Sequence, residues 1–216
     1  MSAILSTTAE VCQSYAACAE AYATSMNDEI KQPVYASTLA RLSSSIEGVP
    51  GSIVDTSCGS GDMLAMYHSQ YRSSDRLLLG FDICPEMVAF AEKKLAGAAR
   101  THVETGDMRA LTTVADDSAA AVISFFAIHH ISVEDLRETL TEWHRVLAKG
   151  GHLVLAAWEG NGVMDYGGGS SMVARNYSKA ELESLLQGAG FAVDRSVVAL
   201  NEEMGIDAVY IDAVKL

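Results

Sequence analysis

The chain is short of positive charge. Its 15 Lys and Arg face 28 Asp and Glu, a formal −13 over 216 residues. A nucleic-acid partner needs a basic face to displace counterions, and this composition offers none. The acidity reads as a means of staying soluble. Long apolar runs are missing too: none reaches the roughly 20 residues that cross a bilayer. Met1-Ser2-Ala3-Ile4-Leu5-Ser6 lacks the basic start and long apolar stretch of a secretion signal. Cysteine is sparse. Cys12, Cys18, Cys58 and Cys84 are too few for a disulfide framework and include no C-x-x-C pair. They read as reduced thiols in a cytoplasmic protein, with Cys58 a small buried filler. No membrane contact, nucleic acid or bound metal is expected.

What remains is ordinary globular material, 49% apolar and 20% charged, enough for a single domain over 1–216. Residues 7–46 read as two helices broken near Lys31-Gln32-Pro33, with Pro33 in the first turn of the second. This helical segment (1–47) precedes a core (51–216) in which strands and helices alternate. Strands are expected over Ser52–Asp55, Arg76–Asp82, Thr101–Thr105, Ala119–Phe126 and His152–Trp158. Helices are expected over Asp62–Tyr71, Pro85–Ala96, Glu134–Ala148 and Ser178–Gln187, with Lys149-Gly150-Gly151 as a C-cap. That alternation means a mostly parallel sheet covered on both faces. Two β-like runs close the chain, Phe191–Leu200 and Ile206–Val214, with only a turn between them. Such neighbours pair antiparallel.

The run Ile53-Val54-Asp55-Thr56-Ser57-Cys58-Gly59-Ser60-Gly61-Asp62 reads as strand, glycine turn and helix start. Asp82 ends the next strand, 21 residues past Gly61, where a carboxylate accepts from ribose hydroxyls or caps the following helix. A pyrophosphate-binding turn needs a third glycine, and Leu64 stands there; Asp62 would also repel the phosphates. The turn suits a cationic, phosphate-free cofactor such as S-adenosylmethionine, toward which Asp55 and Asp62 are tolerable or helpful. Gly106 and Asp107 follow the third strand, within reach of a base: Asp107 could accept from an adenine amino group and the Met108 backbone could donate. A simple turn is the alternative for Asp107.

In this order the motifs resemble those of the class I S-adenosylmethionine-dependent methyltransferases, small-molecule branch. Val54–Gly61, Gly80–Met87 and Gly106–Met108 look like the first three motifs. Ser124–Ile131 resembles the segment after the fourth strand, and Arg145–Gly151 the helix end that usually reads Arg-Val-Leu-Lys-Pro-Gly-Gly. The resemblance implies an α/β, Rossmann-like doubly wound sheet of order 3-2-1-4-5-7-6, its last strand antiparallel, under an N-terminal helical lid. It implies S-adenosylmethionine as cofactor, held by Asp55, Ser57, Gly59, Gly61 and Asp82. Ile83 and Met87 of the second motif, Gly106–Met108 and Phe125 complete that expectation. The chain departs from the pattern at Ser57, where the family has glycine, at Ala121, where an acid is common, and at Ala148-Lys149.

Tyr15 and Tyr22 share one helix face, as a cover over a sulfonium or as core packing. His129 and His130 follow the fourth strand near the expected methyl group; either could take a proton, His129 the favoured one, or both could simply fix the loop. The segment Trp158–Met172 is a substrate wall or a plain connector. With Met26 and Phe126, its Trp158, Met164, Tyr166 and Met172 suggest a small, mainly apolar or aromatic substrate, and Arg175 is the one cation close by. The expected state is monomer or homodimer. The rivals are a non-methylating cofactor binder on this scaffold, arsenic or metal methylation, and a nicotinamide oxidoreductase. Leu64 and Asp62 argue against the last.

Overall fold

The computed structural model describes residues 5–71, 75–165, 172–201 and 205–216. The first helix, α1 (Thr8–Glu29), opens on a capping box. Thr7 Oγ1 accepts from the Glu10 N–H at 3.3 Å, and the Glu10 carboxylate accepts from the Thr7 N–H at 2.7 Å. After the break, α2 (Pro33–Ser45) starts on its proline as expected.

Seven strands form the main sheet: β1 (Ser52–Asp55), β2 (Leu78–Asp82), β3 (Thr101–Thr105), β4 (Ala119–Phe125), β5 (Leu147–Trp158), β8 (Phe191–Asn201) and β9 (Ile206–Lys215). Their order is β3-β2-β1-β4-β5-β9-β8. With β6 (Val163–Asp165) and β7 (Val173–Arg175) set aside, this is the expected 3-2-1-4-5-7-6 arrangement. β1 to β5 run parallel, and β9 pairs antiparallel with both β5 and β8. The central strands β1 and β4 are too buried to alternate with polar residues, because helices cover both faces, while the edge strands β3 and β8 are partly exposed. α2, α3 (Asp62–Gln70) and α4 (Pro85–Lys94) pack Leu39, Leu42, Leu64 and Ala91 on Ile53, Ile123 and Val154. α5 (Val133–Val146) and α6 (Lys179–Gly188) pack Leu140, Trp143 and Leu186 on Val54, Val122, Leu155 and Ile211.

Two features depart from the sequence expectation. β5 starts at Leu147, so Lys149-Gly150-Gly151 is a bulge inside the strand and not a helix cap. Leu147 leaves α5 extended (φ −66°, ψ 134°) to pair with Ala119, and pairing resumes at His152 with Ala121. Within the segment read as a loop, β6 and β7 form a small antiparallel sheet. Its β7 is also spliced to the start of the chain: Ser6 N–H donates to Val173 O at 3.0 Å, and Val173 N–H to Ser6 Oγ at 2.8 Å.

α1 lies across the carboxyl ends of the strands, with Ala19, Tyr15 and Tyr22 packed around Cys84 and Met87 at the start of α4. Gly61 sets the layer beneath. It has φ +84°, and a Cβ there would sit 3.0 Å from Ala91 Cβ and 3.1 Å from Ala91 Cα. Gly61, expected among the cofactor residues, serves to bring the start of α3 against α4. Gly61→Ala should cost about 1–3 kcal/mol, from backbone strain plus overpacking. Urea unfolding reads this, and an unchanged midpoint would refute it.

Candidate active site

A cavity of about 100 Å³ opens where β1, β2, β3 and β4 end under α1. Its floor begins at the glycine turn. Cys58 N–H donates to Phe81 O at 2.8 Å, fixing the turn to β2. Asp82 then joins turn to helix: its Oδ2 accepts the Gly59 N–H and its Oδ1 the Cys84 N–H, both at 2.9 Å. Asp82 thus braces the start of α4 and also lines the cavity. Burial pushes its carboxyl up, against the opposing pull of the two N–H donors.

Asp55 lies just behind this wall, 3% exposed, accepting the Ser57 N–H at 3.3 Å. Burial pushes its carboxyl up to about 7, with Asp82 and Asp62 adding repulsion. Asp62 faces away, toward α4: Lys94 donates to its Oδ1, and Ser60 Oγ to its Oδ2 at 2.5 Å. Ser57 lines the cavity, and its hydroxyl is buried without a hydrogen-bond partner among the described residues. A buried hydroxyl is costly unless something bonds it. The turn therefore fits a polar ligand at the position where the resembled family carries glycine.

The opposite wall is the loop after β3, clamped by α5. Trp143 Nε1 donates to Met108 O at 3.1 Å, and the Leu111 N–H to Glu142 Oε1 at 2.7 Å. Gly106, Asp107 and Met108 all line the cavity. Arg109 wraps Asp107, with Nε 3.0 Å from each carboxylate oxygen and Nη2 2.6 Å from Oδ2. Burial pushes the Asp107 carboxyl up, but these bonds outweigh it and hold it below the usual range. An adenine amino group would have to displace one of them.

The roof is α1. Thr8, Val11, Tyr15 and Tyr22 face the cavity. Tyr22 lies against the glycine turn: a Cβ on Gly59 would meet its ring at 3.3 Å and its hydroxyl at 3.4 Å. Tyr15 and Tyr22 meet edge to face, 5.8 Å between centroids. Both tyrosines thus cover the cleft and pack on the core.

A 3₁₀ turn, Ile128–His130, follows β4 and separates the two histidines. His130 lines the cavity, with Nε2 3.1 Å from the Tyr15 hydroxyl. His129 points into the interior at 1% exposure, and burial holds its imidazole well below the usual range. The preference for His129 is therefore corrected. Burial also lowers His130, to about 4. Phe126, at φ +53°, stacks on Trp158 with centroids 4.3 Å apart. A bulky side chain rarely adopts this backbone, which costs about 1–3 kcal/mol, and such strain gathers at functional sites.

Ile83, Met87, Phe125 and Phe126 line the cavity. Trp158 and Met164 do not: both are 6% exposed, in a separate cluster with Tyr210. Arg175 is committed to Glu181, Nη2 lying 2.9 Å from each carboxylate oxygen, and stacks over Tyr177. Met26 and Met172 are half-buried outside the cavity lining, and Tyr166 lies outside the described residues. Thr8, Val11, Thr56, Arg109, Ala127 and Ile131 also line the cavity and were missed. Thr8 and Val11 continue the face of Tyr15 and Tyr22, a helical spacing visible in the sequence. Among the described residues no group of three or more His, Cys, Asp or Glu is placed to hold a metal.

Comparison with known proteins fits this geometry. Residues 53–151 match the family model of the methyltransferase domain. No curated protein matches the chain in sequence. The chain is similar to a Burkholderia thailandensis 1,6-didemethyltoxoflavin-N1-methyltransferase solved with 1,6-didemethyltoxoflavin and S-adenosylhomocysteine. That match has TM-score 0.75 and 18% identity, over 100% of this chain and 93% of the other. A Methanosarcina mazei S-adenosylmethionine-dependent methyltransferase matches at TM-score 0.67 and 20% identity, over 78% and 93%. The Haloferax volcanii complex of the Trm112 methyltransferase activator with a methyltransferase matches at 0.70 and 21%, over 93% and 95%. Residues 53–151 thus match a methyltransferase-domain model, and the chain shares its fold with these methyltransferases.

Asp55 ties this site to pH. Its folded pKa of about 7 lies above the unfolded value of about 3.9. Between those values only the unfolded chain ionises, so stability falls as pH rises and the full cost stands above about 7. Asp55→Asn should gain on the order of 2–4 kcal/mol over the parent at pH 8, and much less at pH 4.5. Parallel pH profiles of the two proteins in urea unfolding would contradict this.

Proposed function

We propose that this chain moves a methyl group from S-adenosylmethionine to O, N or C of a small, mainly apolar or aromatic metabolite. Asp82 carries the reading. Its carboxylate is braced by two backbone N–H groups in the cavity wall, where each oxygen retains a lone pair for a ribose hydroxyl.

When bound, the cofactor supplies a methyl carbon made electrophilic by its sulfonium. Ser57 and Gly59 hold the methionine part, with the Asp55 carboxylate behind them favouring its ammonium. Ile83, Met87 and Met108 flank the base. Tyr15 and Tyr22 cover the sulfonium with their ring faces and exclude water. The cavity lies directly under α1, so access to it is controlled by that helix. His130 is the residue placed to take a proton from an acceptor that carries one, since its imidazole is neutral at physiological pH. Alignment supplies the rest of the rate.

The acceptor reading rests on the apolar lining of Val11, Phe125, Phe126 and Ile131 and on the neutralised charge of Arg109, paired with Asp107 and Asp135. Binding of 1,6-didemethyltoxoflavin by the Burkholderia neighbour is consistent with a small acceptor. We infer action in the cytoplasm, from the four free thiols, as a monomer or homodimer. No helix among the described residues is long and apolar enough to cross a membrane.

A metabolite screen for S-adenosylhomocysteine release tests the reaction; silence across the screen despite cofactor binding would favour a non-methylating binder. Calorimetry with S-adenosylhomocysteine tests the site. Asp82→Ala should weaken binding at least about tenfold, some 1.4 kcal/mol. Parent-like affinity would remove the ribose assignment.

A further inference from the structure

The glycine turn gives most of its donors to the protein itself. Thr56 N–H donates to Ile123 O at 2.9 Å, Cys58 N–H to Phe81 O at 2.8 Å and Gly61 N–H to Cys58 O at 2.8 Å. Ser57 N–H donates to Asp55 Oδ1 at 3.3 Å, and Gly59 N–H to Asp82 Oδ2 at 2.9 Å. The Thr56 hydroxyl donates to Ile123 O at 3.3 Å, and that of Ser60 to Asp62. Of the hydroxyls on Thr56, Ser57 and Ser60, only that of Ser57 has no partner among the described residues, although its oxygen is buried and its residue lines the cavity.

The side chains around that hydroxyl are acids. Asp55 stands behind the turn, Asp82 is bonded to its Gly59, and Asp62, which follows it, is paired with Lys94. Such carboxyls favour an ammonium and repel a carboxylate. An α-amino acid carries both groups. A ligand with such an end needs a donor for its carboxylate where the N–H groups from Thr56 to Gly59 are already bonded. The Ser57 O–H supplies one.

We propose that the Ser57 hydroxyl binds the carboxylate of the cofactor's amino-acid end, and so makes the turn selective for the intact amino acid over the same ligand without its carboxylate. This rests on S-adenosylmethionine binding in the cleft, and it adds which atom of the turn reads which group of the ligand. A hydrogen bond to an ionised acceptor is stronger than one between neutral groups. It forms only in the loaded protein, so the unloaded protein carries the cost of a buried, unbonded hydroxyl. Asp55 answers the ammonium and Ser57 the carboxylate, so residues two positions apart read the two charges of one amino acid.

The test is a cycle that removes the hydroxyl from the protein or the carboxylate from the ligand, read by calorimetry. One ligand is S-adenosylhomocysteine. The other is the same adenosyl thioether with a 3-aminopropyl group in place of the amino acid, which keeps the ammonium and lacks the carboxylate. Ser57→Ala should weaken S-adenosylhomocysteine about tenfold or more, and the aminopropyl ligand less than about twofold. In urea, unloaded Ser57→Ala should unfold at the parent's midpoint or above it, because it loses a hydroxyl that nothing bonds. Parent-like affinity of Ser57→Ala for S-adenosylhomocysteine overturns the proposal. So does an equal loss for both ligands, which would assign the hydroxyl to the shape of the turn and not to the carboxylate. A lowered urea midpoint also overturns it, by revealing a partner within the protein. A parent that binds neither ligand overturns the cofactor reading, and this proposal with it.

Discussion

The Asp82 carboxylate takes one backbone N–H from the glycine turn and one from the start of α4, and the cleft is organised around those two bonds. The turn after β1 and the loop after β2 come from separate βα units. Without a shared acceptor each would end in unsatisfied donors beside a cavity. Asp82 joins them into one rigid floor and remains partly available to a ligand. It does so while buried, which lifts its carboxyl, and beside Asp55, which burial lifts further. Two carboxyls held in one small volume store electrostatic energy that a cation entering the cleft relieves. A sulfonium and an ammonium are ligands of that kind; a pyrophosphate would raise the energy.

The fold was legible because its signals are repetitive. Apolar strands spaced by helical stretches dictated a parallel sheet with two covered faces, and the short turn before Ile206 dictated a reversed last strand. The start of β5 was not legible, since Leu147 to Gly151 looks like a helix end to any local reading. It is pulled into the sheet by pairing with Ala119, a contact distant in sequence. The floor of the site was legible for the same reason as the fold: a turn and a strand-end acid sit at spacings that topology fixes.

Side-chain direction was harder to read. His129 and His130 are adjacent, and only the 3₁₀ turn decides which one faces the cavity. Trp158 and Met164 look like an apolar wall in the sequence, yet they complete a cluster with Tyr210 from the last strand. Arg175 looked free for a substrate, but Glu181, six positions on, holds it. Each difference arises from a partner brought in by tertiary packing. Arg109 shows the reverse case: it lies two residues past Asp107, so the ion pair that neutralises both is local in sequence.

The splice between Ser6 and Val173 has a mechanical meaning. Two reciprocal hydrogen bonds stitch the lead-in of the roof helix to the edge of the β6–β7 sheet, on the far side of the aromatic cluster. The break at Lys31-Gln32 holds the other end, so α1 is tied down at both ends and cannot lift as a free flap: any outward shift of the roof has to break or stretch this splice.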